Sequence, residues 1–415
     1  MPLRAPTSSF PRQVWLLFGG MLISTIGGSM VWPFMTIYLR QRLDLPLTTV
    51  TLLMTVNSAA GLAAAALVGP LVDRFGRKRA MVTGLGLLGA TLLTMSLAGS
   101  LPAWVLLMAC QGAFGPLYRI GADAMIADLV PPDRRAQAYA WQRMATNLGI
   151  AIGPSVGGFV TATSYTLAFY IAAAGNLTFA LLVLLFARET LPRRSPLSAP
   201  TESPGQAATH SAGKAGYGPV LRDRRFMAFV AITTLATIPA TLVMVLLAVY
   251  AKEQFGVPEN RYGFVMATNA AMVVLFQVLV THFSRRYPPF RVLAAGALLY
   301  ALGAGSVAWG STFPAFLLSM IVLTLGELLL VPTANALTAS LAPADMRGRY
   351  MGLYGLTWSI AFGIGPVLGG WLNDNISPVA TWIGGMLVGL LAVAGFLILE
   401  RVRRPAPAPV AEHSA

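Results

Sequence analysis

Four ionisable side chains, Arg119, Asp123, Arg143 and Glu327, stand inside long apolar stretches of this 415-residue chain. At the centre of a hydrocarbon layer each such charge costs about 2.5 to 3.5 kcal/mol on insertion scales, so those that persist there have a use. Glu327 lies in GELLLVPTANAL, residues 326–337, with Gly, Leu and Val around it. Loss of hydration disfavours the ionised carboxylate and brings proton exchange within reach. That makes Glu327 the leading candidate for a site that takes up protons and substrate in turn; the plain alternative is a structural bond to a helix backbone. Arg119 and Asp123 are spaced i, i+4, so they either neutralise each other on one helix or share a cavity with Glu327. Trp32, Phe34, Met35 and Tyr38 offer an aromatic and thioether surface for an apolar ligand, with ordinary packing as the competing role. A denser cluster, GPLVDRFGRKRA at residues 69–80, combines one carboxylate, four cations and two glycines. Without a Cβ, Gly69 lets helices approach closely and Gly76 permits a tight turn.

Groups of this kind need a membrane-spanning frame to hold them. The chain is 56% hydrophobic and only 11% charged, with a mean hydropathy of +0.68, a composition foreign to soluble domains. A helix needs roughly 20 apolar residues to cross about 30 Å of hydrocarbon. Twelve runs of about that size are present, at 14–39, 47–72, 80–97, 103–128, 138–161, 166–187, 226–250, 262–283, 292–310, 314–341, 350–373 and 379–399. The fold class expected is therefore an all-α integral membrane protein with the lipid bilayer as its solvent. The first run is too long and too closely joined to the second to read as a cleaved signal peptide.

With a cytoplasmic N-terminus, 23 of the 29 Lys and Arg fall on the cytoplasmic side. Only Arg40, Arg42, Lys252 and Arg261 fall outside, and Arg119 and Arg143 lie within spans. This asymmetry predicts that both termini are cytoplasmic. The net charge of +14 thus reports orientation, and nucleic acid is not an expected partner. The single cysteine, Cys110, lies within span four, which rules out an intrachain disulfide and every Cys-based metal spacing. His210, His282 and His413 fall in the central loop, at a span end and in the tail, so no metal or acid–base cluster forms from them. No G-x-x-x-x-G-K-[ST] occurs, so no nucleotide is expected. Neither a metal nor any other cofactor is predicted, and a monomer is expected.

The chain is also a repeat. LVPPDRRAQAYAWQRMATNLGIAIGPSVGG from Leu129 and LAPADMRGRYMGLYGLTWSIAFGIGPVLGG from Leu341 align without gaps at an offset of 212, with nine of 30 positions identical, among them Asp133/Asp345 and Arg135/Arg347. Six spans separate the copies, so both have the same orientation. Parallel halves of this kind place a substrate site at their interface near the bilayer midplane. The expected organisation is a six-helix half at 1–187, a Pro-, Ser- and Gly-rich cytoplasmic linker at 188–225, a second six-helix half at 226–400 and a tail at 401–415. Within the linker, residues 196–218 lack apolar periodicity and are expected to be poorly ordered.

GPLVDRFGRKR resembles the G-x-L-x-D-R-x-G-R-[KR] loop between spans two and three of the major facilitator superfamily. GIAIGPSVGG in span five resembles the G-x-x-x-G-P-x-x-G-G signature of its drug/proton antiporter branch, and GELLLVPTANAL resembles span ten of bacterial multidrug exporters. The resemblance implies that Asp73 faces the amino end of span eleven and that Arg77 pairs with Asp128. Together these would form a latch that joins the two halves when the cytoplasmic side is closed, with Gly69 and Gly76 shaping it; Arg74, Lys78 and Arg79 serve topology. The equivalent stretch of the second half, from Thr281, lacks the glycines and the acid. In span five, Gly149, Gly153, Gly157 and Gly158 give a smooth packing face and Pro154 bends the helix, with no substrate contact expected. Many antiporters carry Arg three residues before the QG of span four, where this chain has Met108. Arg119 lies on the same face three turns closer to the cytoplasm, and whether it takes over that role is open.

The resulting expectation is a bacterial inner-membrane secondary transporter, not an enzyme, that exports amphipathic, often cationic, compounds in exchange for protons. The alternatives are export of a sugar, metabolite or lipid, or a non-transporting sensor of the same fold. The sparse polar lining read from the sequence favours amphipathic substrates over sugars.

Overall fold

In hydrocarbon every backbone N–H and C=O must be satisfied within its own segment, which leaves the helix as the form each apolar run can take. The computed structural model describes residues 10–191, 217–343 and 346–401. The first half comprises α1 (Arg12–Val31), α2 (Met35–Leu43), α3 (Leu47–Phe75), α4 (Arg77–Met95), α5 (Leu101–Leu129), α6 (Arg135–Thr163) and α7 (Tyr165–Phe186). A short helix, α8 (Gly218–Arg222), precedes the second half: α9 (Arg224–Phe255), α10 (Glu259–Ser284), α11 (Pro289–Ser306), α12 (Phe313–Leu341), α13 (Arg347–Asn375) and α14 (Ala380–Arg401). Helices α1 and α2 make one crossing, interrupted by a 3₁₀ turn at Trp32–Phe34. Pro33 has no N–H to continue the α-helical ladder there.

Each of the twelve expected runs coincides with one crossing. Among the described residues, ten helical stretches are long and apolar enough to cross a membrane on their own. Helices α4 and α6 are the other two crossings. Arg77, Lys78 and Arg79 crowd the first turn of α4, and α6 carries Arg135 and Arg143. Both are held by neighbours: α4 packs on α5 and α7, and α6 on α1 and α10. The greater part of the expected linker (192–216, with His210), the tail from 402 (with His413) and Asp345 lie outside the described residues.

The repeat extends far beyond the two aligned segments. Helices α1, α3, α4, α5 and α6 begin at 12, 47, 77, 101 and 135, and α9, α10, α11, α12 and α13 begin at 224, 259, 289, 313 and 347, each 212 residues later. Residue n of one half therefore has a counterpart at n + 212 through five consecutive crossings. The contacts obey the same rule. The Ser29 hydroxyl of α1 donates to Gly149 O (2.9 Å), and its counterpart on α9, the Thr241 hydroxyl, donates to Ala361 O (3.3 Å).

The described residues begin at Phe10 and end at Arg401, both at one face of the bundle, here called the terminal face. Between the halves, α6 meets α10 and α3 meets α13. A Cβ on Gly158 would lie 3.1 Å from Asn260 Cα, and one on Gly370 would lie 3.0 Å from Thr48 Cα, the same contact made twice by the 212-residue rule. These crossings fall in the half of the bundle away from the terminal face. So do the cross-half hydrogen bonds among the described residues, from Thr36 with Val245 down to Thr55 with Gly363 at mid-depth. Toward the terminal face the described residues of the two halves share no hydrogen bond or ion pair, and the halves part.

Candidate functional site: a cavity between the halves

Where the halves part, a cavity of about 610 Å³ opens, bordered by both. Glu327 is its only charged lining residue among the described residues. It is half-buried and stands at the midpoint of the 29-residue α12. Asn269 of α10 donates its amide to Glu327 Oε2 at 2.7 Å and to Thr324 Oγ1 at 3.0 Å. The other carboxylate oxygen, Oε1, has no protein partner among the described residues and remains available to a ligand. The counterpart of Glu327 is Gly115, the midpoint of α5, which also lines the cavity and has open space where a Cβ would stand. Asn269 has Asn57 as its counterpart, on α3, whose amide donates to Met108 O at 3.1 Å.

Of the four aromatic and thioether candidates in the first crossing, Trp32 lines the cavity. Phe34, Met35 and Tyr38 do not. Phe34 is 1% exposed against Tyr262, and Tyr38 packs among Trp104, Tyr165 and Phe169. The 3₁₀ turn at Trp32–Phe34 ends the straight run of α1, and the residues after it join the sealed far end.

Arg119, Asp123 and Arg143 lie nearer the terminal face and do not border the cavity. Asp123 and Arg119 form no ion pair despite their i, i+4 spacing. Asp123 turns to α6, where Gln142 donates to it at 2.6 Å, while Arg119 is exposed. Met108, in the place of the antiporters' arginine, is fully buried.

At the terminal face, Gly76 has φ +100°, a backbone open to glycine, and makes the turn from α3 into α4. Arg77 Nε meets Asp128 Oδ2 at 3.1 Å and Nη2 meets Asp73 Oδ1 at 3.2 Å. The expected pairing of Asp73 with α13 belongs to the closed face; with this face parted, the Asp73 side chain is 70% exposed and its one ion pair among the described residues is with Arg77. Space is likewise open where a Cβ on Gly69 would stand, so no close approach occurs there in this arrangement. Glu189, unremarked in the sequence, caps α4 by accepting from Arg77 N (2.9 Å) and Lys78 N (3.2 Å). Its carboxylate occupies the volume a side chain on Gly76 would need.

Glycines of α6 divide between two neighbours. A Cβ on Gly149 would lie 2.7 Å from Thr25 Cβ, one on Gly153 2.7 Å from Ile26 O and one on Gly157 2.7 Å from Met30 Cα, all on α1, while Gly158 faces α10. Pro154, expected only to bend the helix, also borders the cavity.

The far face is closed by polar contacts that the sequence did not announce. Arg40 pairs with Glu253 at 3.0 Å. Asp374, at the end of α13, accepts from the backbone of Leu47 (3.2 Å) and Thr48 (2.7 Å), and so caps α3 from the opposite half. Tyr165 donates to Glu259 at 2.6 Å, and Glu259 also pairs with Lys252. The sequence gives no sign of the pairings of Arg40 and Tyr165, because their partners lie in the other half, 213 and 94 residues along the chain.

Two parallel six-helix halves, sealed at one face and parted at the other around a central cavity, define a multi-pass membrane transporter. The Major Facilitator Superfamily model matches residues 17–242 and 230–415, and the chain belongs to that superfamily. It is 28% identical over 399 residues to a Na⁺, Li⁺, K⁺/H⁺ antiporter of Planococcus maritimus, covering 89% of this chain and 91% of that one. It is 26% identical over 395 residues to the multidrug resistance protein MdtH of Yersinia pestis (strain Pestoides F), covering 92% and 93%. Among solved structures, a POT family transporter in complex with a thioalcohol-conjugated peptide superimposes with a TM-score of 0.76 at 18% identity, covering 94% of this chain and 96% of that one.

Proposed function

We propose that the protein exports amphipathic, often cationic, compounds in exchange for protons by alternating access, in the inner membrane of a bacterium with both termini cytoplasmic. The terminal face is then the cytoplasmic one, residues 188–225 and 401–415 are its linker and tail, and the protein acts as a non-enzymatic monomer. Glu327 carries the reading: a single carboxylate at mid-depth, in a cavity bordered by both halves, with one oxygen uncommitted. Ionised, it holds a cation; protonated, it releases one. Proton and substrate therefore compete for one group, the minimal physical requirement of exchange. A charge crossing 100 mV yields about 2.3 kcal/mol, enough to sustain a substantial gradient. The relative named as a multidrug resistance protein agrees with this substrate class.

The test is uptake of tetraphenylphosphonium into inverted vesicles energised to an acidic interior. Glu327→Gln keeps size and hydrogen bonding but removes charge and titration, and is expected to reach the membrane at wild-type levels and lose proton-driven uptake. Equal rates with the same pH dependence would eliminate Glu327 as the coupling site. A second reading is exchange of alkali cations, favoured by the relative named as a Na⁺, Li⁺, K⁺/H⁺ antiporter and by the Glu327 carboxylate, the one charged group among the described residues that line the cavity. It predicts that Na⁺ or K⁺ gradients, rather than organic cations, collapse the proton gradient of the same vesicles.

A further inference from the structure

The two walls of the cavity differ in chemistry. On the side of the second half, the residues near Glu327 and Asn269 are apolar: Met244, Met266, Val273, Val274 and Phe362. On the side of the first half stand four amides, Asn57, Gln111, Asn147 and Asn176. Several of their polar atoms are uncommitted. Gln111 Oε1 is buried without a hydrogen-bond partner among the described residues. Asn57 gives its NH₂ to Met108 O, which leaves its carbonyl free to accept. A buried acceptor left unmet is costly. Gln111 and Asn57 also share one stretch of wall, because Gly61 and Gly112 bring α3 against α5 (a Cβ on Gly61 would lie 3.3 Å from Gly112 O).

The fold itself does not ask for an amide at residue 111. Its counterpart, 212 residues on, is Leu323 on α12, fully buried in the same helical register. The first half thus spends a polar group where the second half uses packing, and it does so on the cavity wall.

We propose that the substrate is an amphipathic monocation with a second hydrogen-bond donor remote from its charge, read by Gln111 and Asn57 while the cationic centre sits against Glu327. The inference rests on the cation-exchange reading above and narrows it. The cationic nitrogen meets the uncommitted Oε1 of Glu327, the donor meets the carbonyl of Asn57 and that of Gln111 once the Gln111 side chain turns its buried oxygen to the cavity, and the body lies on Met244, Met266 and Phe362. Thioether side chains there adapt to different apolar shapes. Specificity comes from the donor, because a site built to accept a hydrogen bond disfavours an analogue that lacks it.

Procaine and 2-(diethylamino)ethyl benzoate test this directly. Both carry the same protonated tertiary amine and aromatic ester, and they differ by the para-amino group, the one hydrogen-bond donor remote from the charge. Binding is measured by calorimetry on the purified full-length protein in nanodiscs. Wild-type protein is expected to bind procaine about three- to tenfold more tightly. Gln111→Leu, which copies the residue the second half uses, is expected to reduce that preference to within about twofold while leaving binding of the benzoate in place. Should that variant not purify as a folded protein, Gln111→Met is held to the same criterion. Glu327→Gln is expected to weaken both amines equally. Equal affinities in the wild type, or a preference untouched in the Gln111 variant, would overturn the donor-reading role alone. Amine binding indifferent to Glu327→Gln would instead overturn the cation reading, and failure of both amines to bind would overturn both.

Discussion

Asp73 shows how one residue can have a role that a single arrangement leaves idle. With the halves parted at the terminal face, its side chain is mostly solvent-exposed and paired only with Arg77 one turn away, an interaction worth little in water. If it engages the amino end of α13 when that face closes, the helix dipole adds to its value in the closed state alone. Asp73→Asn is therefore expected to shift the population toward the arrangement described here, read as a longer mean distance between spin labels on the terminal-face ends of α3 and α13. An unchanged distribution would leave the stretch as a topology signal. Residues of this kind were legible because charge is conspicuous in an apolar sequence: Glu327, Asp73, Arg77 and Asp128 all stood out, and Arg77 meets Asp128. Neutral amides were not conspicuous. Asn57, Gln111, Asn147 and Asn176 carry no charge, and nothing in a single crossing tells a cavity-facing amide from a buried one. The available clue was the pairing of Asn57 with Asn269 at an offset of 212, on α3 and α10, outside the segment where the repeat is visible as identity.

Among the helices, α3 has an unusual start. Its N-cap position is Pro46, which offers no side-chain acceptor, and the cap comes from Asp374 on the opposite half. Ends of α3 and α13 are thereby joined only while the far face is closed. Asp374→Ala removes an acceptor of a kind worth about 1 kcal/mol at a helix N-terminus, so the far-face-open population should rise about fivefold. The measurement is the labelling rate of Val273→Cys by an impermeant thiol reagent added from the far side, in a Cys110→Ser background; an unaltered rate would mean that the packing of α6 on α10 and α3 on α13 closes this face unaided. The helices themselves were well marked in the sequence, since runs of apolar residues admit only one backbone form in lipid. What could not be read was which helix ends meet, because Arg40 and Glu253, or Thr48 and Asp374, are more than 200 residues apart.

For the molecule as a whole, association of the halves rests on far-face packing and on the crossings of α6 with α10 and α3 with α13. The connecting segment then has only to keep the two halves together, a task that depends weakly on its length. A modest deletion within residues 196–218 that keeps the basic residues Arg193, Arg194, Arg222, Arg224 and Arg225 is expected to leave vesicle uptake unchanged. Loss of uptake in a stably expressed deletion would show that the segment itself takes part.

The correspondence between Gly115 and Glu327 has an electrical meaning. Two parallel halves are related by an axis along the membrane normal, so counterparts lie at the same depth. A carboxylate moved from residue 327 to residue 115 would sit at the same fraction of the transmembrane voltage while losing Asn269, Thr324 and the apolar wall. The field does the same work on the charge at either position. Any difference between a Gly115→Glu, Glu327→Gly exchange and the parent protein would then belong to the neighbours of the charge and not to its place in the field. The duplicated chain thus holds, within one molecule, the means to separate the chemistry of its carboxylate from the voltage that acts on it.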